Sequence, residues 1–212
     1  MQVHATISKE WQRRMTLMGL MILGSALWFF YDGFIAWPAE AERYTQLERI
    51  TEELVAAGEA ADTEDPAVKR AWEAYAEENG LKEKPPKDRT EGDIAGQRII
   101  GGVIFAIFAI FAGWVALQRR KSVRADGDII TGADGETVHF DTITGMDRRK
   151  WNSKGIAYAI YEVDGRERRL CLDDHKFIGC EAIILEAEKR LAARAGTEKG
   201  GDDQAATAAP TA

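Results

Sequence analysis

The chain has 212 residues and carries 35 acidic against 28 basic side chains, a formal charge of −7, which argues against a generic nucleic-acid binder. Two cysteines exclude a disulfide-dense scaffold and a four-cysteine zinc module, and three histidines leave little material for a metal or acid–base centre. The mean hydropathy of −0.31 has the value of a soluble protein, but the apolar residues are concentrated in two runs.

Residues 1–14 form a short N-terminal segment ending in Lys9, Arg13 and Arg14. The first apolar run, MTLMGLMILGSALWFFYDGFIAW over 15–37, holds one charge, Asp32, close to its end. It is long enough for a hydrocarbon layer of about 30 Å. Trp28, Tyr31 and Trp37 suit an interfacial aromatic belt, and Pro38 is expected to stop the helix. A cleaved signal peptide is the alternative, with Ala39-Glu40-Ala41 as the cleavage site. The run exceeds the roughly 7–15 residues of an h-region, which favours a retained span.

Residues 38–98 are polar. Between Pro38 and Gln97 there are sixteen acids and eight bases. Tyr44, Leu47, Thr51 and Leu54 recur at helical spacing, and Gly58 marks an end. A second helix is predicted after Asp65 as N-cap and Pro66 at the first helical position, with Gly80 as its stop. Val68, Ala71, Trp72 and Tyr75 form its apolar face, so the two helices are predicted to make an antiparallel hairpin. Leu81 to Gly96, with Pro85-Pro86 and many charges, reads as linker. The acidic face of the hairpin reads as solvation, or as a docking surface for a basic partner.

The second run, over 99–118, has no charge and is just long enough to span. Gly102, Ala106, Ala109 and Gly113 form a stripe of small residues suited to close helix packing, either with a second copy of the chain or with the first span. Lys9, Arg13 and Arg14 before the first span, and Arg119, Arg120, Lys121 and Arg124 after the second, outweigh the bases near the loop ends. The expectation is that both termini are cytoplasmic and the hairpin extracytoplasmic.

Residues 119–194 change to short strands. GDIIT and ETVHF flank a Gly132-Ala133-Asp134-Gly135 turn, with Val138 and Phe140 on one face and His139 on the other. FDTITGMDRRKW continues extended, with a break near Gly145. GIAYAIYEV reads as a central strand, and Asp164-Gly165 as a hairpin turn into RERRLCL. A helix is predicted after Asp173 or Asp174, with Phe177, Cys180, Ile184, Ala187 and Leu191 as its stripe. Residues 195–212 lack periodicity and read as a disordered tail.

ITGMDRRKWNSKGIAYAIYEVDGRERRLCLDD and the helix after it resemble a pleckstrin-homology-like (PH-like) domain, of the kind attached to spans in small bacterial membrane proteins. The resemblance covers about the last third of the chain before the tail and carries no catalytic signature. It implies a β-barrel or curved sheet closed by one helix, in an α+β protein of the bacterial inner membrane. Five or six strands are visible, against seven in a full PH-like barrel.

CLDDHKFIGC gathers Cys171, Asp173, Asp174, His175 and Cys180 but matches no common zinc spacing. No cofactor site or catalytic constellation can be argued. Both cysteines are expected to be reduced. Arg148, Arg149, Lys150, Trp151 and Lys154 form a basic loop that could meet an anionic leaflet or a protein partner. The other reading puts Trp151 in the core and the bases in solvent. The function expected is non-enzymatic, either binding of a protein or the membrane surface by the PH-like module, or service as an accessory subunit of a larger membrane complex. Membrane lipids, an unidentified protein and a second copy of the chain are the expected partners.

Overall fold

The computed structural model describes residues 1–206, with side chains through Gly196. In chain order the elements are β1 (Gln2–Ile7), α1 (Lys9–Tyr31), a π-helical turn (Asp32–Ala36), α2 (Trp37–Ala56), α3 (Pro66–Glu78), α4 (Glu91–Gln118), β2 (Ser122–Asp126), β3 (Ile129–Thr131), β4 (Thr137–His139), β5 (Ile143–Asp147), α5 (Trp151–Lys154), β6 (Ile156–Val163), β7 (Arg166–Asp173), β8 (Phe177–Ile178) and α6 (Cys180–Ala206). The protein is α+β and divides into two compact units, residues 1–17 with 113 onward, and residues 18–112.

The first unit holds two antiparallel sheets, one ordered β4-β3-β2-β1-β8 and the other β5-β6-β7. They are separate sheets, so the closed-barrel expectation is not met. Within the N-terminal segment of residues 1–14, Gln2–Ile7 form strand β1, inside the larger sheet. Gln2 to Thr6 pair with Asp126 to Ser122, while Thr6 and Ile7 pair with Ile178 and Phe177. Ala5 is fully buried and Ile7 nearly so. The alternation of buried and exposed positions in QVHATI is the period-2 signature of a half-buried strand.

The hairpins follow the turn residues. Asp164 and Gly165 both have positive φ, at 52° and 72°, the pair of conformations a two-residue hairpin between β6 and β7 requires. A register shift between Ile143 and Gly145 is the break expected near Gly145. The two sheets and α6 enclose one core containing Phe140, Ile143, Leu170, Leu172, Ile183 and Ile184, all buried. α6 packs on β1 of the first sheet and on β5, β6 and β7 of the second. Its polar side is fixed as well. Arg190 pairs with Asp128 at 2.7 Å with its guanidinium 4.5 Å from the Phe140 ring, and Arg194 donates to the Ile143 carbonyl at 2.8 Å.

The helix start differs from the sequence expectation. Phe177 belongs to β8, and α6 begins at Cys180 after Gly179, whose φ is +109°. Asp174 still caps it, accepting from the Gly179 and Glu181 amides at 3.2 and 3.0 Å. Asp173 instead closes the turn before β8 by accepting from the Lys176 amide at 3.0 Å. At the other end α6 runs to Ala206 rather than stopping near Ala195. The remainder of the expected tail, residues 207–212, lies outside the described residues.

In the second unit, Pro38 does not end the first helix. Helical structure continues from Lys9 to Ala56, 48 residues or about 72 Å at helical rise. The π-helical turn immediately precedes α2, and Pro38 sits in that helix's first turn, where its missing N–H is tolerated. Two helices are long and apolar enough to cross a membrane, Lys9–Ala56 and Glu91–Gln118. Between Met18 and Ala112 their segments run antiparallel. A side chain at Gly19 would meet the Phe111 ring at 3.5 Å, one at Gly101 the Phe30 ring at 2.8 Å, and one at Gly33 the Arg98 backbone nitrogen at 3.1 Å. Arg98 also donates from Nε to the Gly33 carbonyl at 2.9 Å, beside the π-helical turn.

α2 and α3 form the expected helical hairpin. Leu47, Val68, Trp72 and Ala76 are buried, with Tyr44, Leu54 and Tyr75 packed around them. Asp65 Oδ1 accepts from the Ala67 amide at 2.9 Å, and Gly80 leaves the second helix at φ +63°. The segment read as linker is tied down. Arg89 Nε lies 2.8 Å from Glu40, its guanidinium 4.0 Å from the Trp37 ring, and the Lys87 amide also reaches Glu40. α4 starts at Glu91, eight residues before the apolar run. Thr90 and Asp93 cap it reciprocally, the Asp93 amide donating to Thr90 Oγ1 and the Thr90 amide to Asp93 Oδ2, both at 3.1 Å.

Candidate functional site

One residue, Ser8, separates β1 from α1. It is buried, and all its polar groups are used. Its amide donates to the Lys176 carbonyl at 2.8 Å, its hydroxyl donates to the His175 carbonyl at 2.8 Å, and the same hydroxyl accepts from the Trp11 amide at 3.0 Å. Ser8 is therefore the N-cap of α1 and the fastening between that helix and the turn before β8. Trp11 packs partly against the domain core and lies 6.2 Å from Trp114 of α4, ring centre to ring centre. Since Thr6 pairs with Ser122, both long apolar helices join neighbouring, hydrogen-bonded strands of one sheet.

The basic loop lies between β5 and β6. Trp151 is half-buried and packs against the core, and Gly155 ends the α5 turn at φ +64°, with the His175 ring where a side chain would be. Arg148 Nη1 donates to both carboxylate oxygens of Glu188 at 3.2 Å, with its guanidinium 4.8 Å from the Trp151 ring. Arg149 pairs with Asp147 at 2.6 Å, and Arg169 reaches the same carboxylate at 3.8 Å. The hydrogen bonds from the Arg149 side chain and amide, together with both guanidinium charges, hold the Asp147 carboxyl well below the usual range. Lys150 lies 5.7 Å from the Tyr158 ring. Lys150 and Lys154 have no carboxylate partner among the described residues. The loop thus brings Arg148 and Trp151 together, but two of its four charges are spent within the chain.

Gly102, Ala106, Ala109 and Gly113 are all exposed along α4, and nothing lies within 4 Å of where a side chain on Gly102 or Gly113 would be. The glycines that meet the neighbouring helix are instead Gly19, Gly33 and Gly101. The stripe does not pack against the first span within this chain.

A cleft of about 210 Å³ opens between Lys121, Asp134, Glu136, Cys171, Asp173 and Lys176. Lys121 pairs with Asp134, and Lys176 Nζ lies 2.9 Å from Gln118 Oε1 and 5.1 Å from the Phe177 ring. Burial, then the neighbouring Lys121 charge, lowers the Lys176 pKa. Partial desolvation, then Asp173, raises the Cys171 thiol. Burial pushes Cys180 up to about 12, helped by Asp174 and Asp173. Both cysteines are free thiols, and neither is activated as a nucleophile. Among the described residues, no three His, Cys, Asp or Glu side chains converge as metal ligands would.

β1 and Ser8 are not among the sequence-predicted elements, and Lys9, Arg13 and Arg119 enter the sequence expectations only through topology. The alternating pattern of QVHATI was the available signal. No family model, curated protein or solved structure matches this chain.

Proposed function

We propose that the chain is a non-enzymatic integral membrane protein of the bacterial inner membrane, with both termini cytoplasmic and the helical hairpin extracytoplasmic. Its two-sheet domain is a PH-like module that presents a binding surface to a protein partner or to the anionic leaflet. One observation carries this reading, the joining of both apolar helices to adjacent strands of one sheet. A pairing of β1 with β2 requires Ile7 and Ser122 to lie on the same side of any membrane the helices cross. The module is then joined to the two helices through adjacent strands of one sheet.

The test is topology. A reporter active only outside the cytoplasm, fused after Gly80, should be active, and one fused at Ala195 should be silent. The reverse pattern would overturn the orientation, and activity at only one side for both fusions would overturn the two-span reading.

The second reading, an accessory subunit contacting a larger complex or another copy through its spans, is favoured by the exposed stripe of Gly102, Ala106, Ala109 and Gly113. Co-purification after mild detergent extraction separates it from the first, because Gly102→Leu with Gly113→Leu would abolish a span-mediated complex and leave one made by the module intact.

A further inference from the structure

A shallow groove of about 690 Å³ runs where α1 leaves the domain and α4 enters it. Its lining is Lys9, Gln12, Arg13, Thr16 and Leu17 from α1 and Arg119 from the turn after α4. Lys9, Arg13 and Leu17 are four residues apart in turn, so they stack on one helix face. Arg119 adds a third cation from a different segment. All three cations are exposed, and none has a carboxylate partner among the described residues. Glu10, the acid of the same helical turn, is already paired with Arg14 at 3.0 Å. This is the opposite of the basic loop, where Glu188 and Asp147 neutralise Arg148 and Arg149.

The groove also changes character along its length. It begins with Lys9 and Arg119, continues one turn on with Arg13 beside Gln12, passes the Thr16 hydroxyl, and ends at Leu17, which is 62% exposed at the start of the apolar run. A ligand matching this order has an anionic head, a polar ester or glycerol region and a hydrocarbon chain. We infer that the groove of Lys9, Arg13, Arg119, Gln12, Thr16 and Leu17 binds one anionic phospholipid from the membrane, its phosphate between the three cations and its acyl chain along Leu17. A free phosphate or a soluble anionic peptide would use the charges and leave Leu17 uncovered. The inference rests on the reading that the two apolar helices cross a membrane.

The test uses the full chain in detergent micelles, with bound lipid counted by native mass spectrometry. Dioleoyl phosphatidylglycerol should be retained in preference to dioleoyl phosphatidylcholine, and excess glycerol phosphate should not displace it. Each base converted to Gln should weaken retention about fivefold, and the triple variant K9Q/R13Q/R119Q should lose the preference. The swap K9R/R13K/R119K should keep it, and R148Q/R149Q should not change it. Equal retention by the triple variant, or displacement by glycerol phosphate, would overturn the lipid site. Phase partitioning of the same protein reports the underlying reading separately. A chain that stays in the aqueous phase without detergent overturns the membrane reading and the site with it. A chain that partitions into detergent but fails the lipid preference overturns the site alone.

Discussion

Removing residues 9–120 should leave a soluble, folded domain, provided that β1 is kept. In the sheet, Thr6 lies opposite Ser122 in an antiparallel pair, so Ser8 can be joined to Lys121 by a short Gly-Asn turn and the two strands become an ordinary hairpin. A fragment of residues 122–194 lacks β1 and exposes facing edges on β2 and β8. Its loss can be gauged from the contacts of β1. Burial of Ile7 is worth about 1.5–3 kcal/mol, and each ladder hydrogen bond about 1 kcal/mol net. Seven residue pairs connect β1 to its two neighbours, five with β2 and two with β8. The total approaches the whole stability of a small domain, about 5–15 kcal/mol. The joined chain should therefore show a cooperative thermal transition and a dispersed amide spectrum, and the fragment neither. A cooperative transition for 122–194 at the same midpoint would refute the claim that β1 is integral to the domain.

Gly101→Leu should weaken packing of the second unit by about 1–3 kcal/mol, because the rigid Phe30 ring occupies the space, whereas Gly102→Leu should be neutral; thermal unfolding in detergent compares them. The joined domain should lose stability as pH falls through the acid range. The carboxyls of Asp128, Asp134 and Asp147 are lowered by Arg190, Lys121 and Arg149. Their contribution is therefore complete above the ordinary carboxylate pKa near 4 and disappears as they protonate below it. Asp147→Asn should flatten that slope, as followed by denaturant unfolding at stepped pH. Alkylation at mild alkaline pH should label Cys171 slowly and leave Cys180 unlabelled until the protein is denatured, since burial holds its thiol up to about 12; peptide mapping reads both sites.

Elements defined by local patterns were legible. The apolar runs, the Asp65-Pro66 helix start and the Asp164-Gly165 turn each depend on residues a few positions apart. β1 was harder to see, because its meaning lies in pairing with Ser122–Asp126, more than a hundred residues later. Phe177 fitted the spacing of the helix stripe and also a two-residue strand, and only its pairing with Ile7 separates the two. Pro38 looked like a stop because the sequence gives no sign of the π-helical turn that precedes it. The charges of the basic loop could be counted, but the Arg148 partner, Glu188, is forty residues away.

The position of β1 has a consequence for biogenesis. It leaves the ribosome before the apolar helices, whereas its neighbour β2 is made only after both of them. If those helices cross a bilayer, the domain cannot close until the second one has been inserted and has returned the chain to the starting side. A molecule that fails this step leaves β1 stranded from β2, with unpaired strand edges open to aggregation and proteolysis. In a chain whose helices cross a bilayer, pairing of β1 with β2 would therefore report that both helices had been inserted.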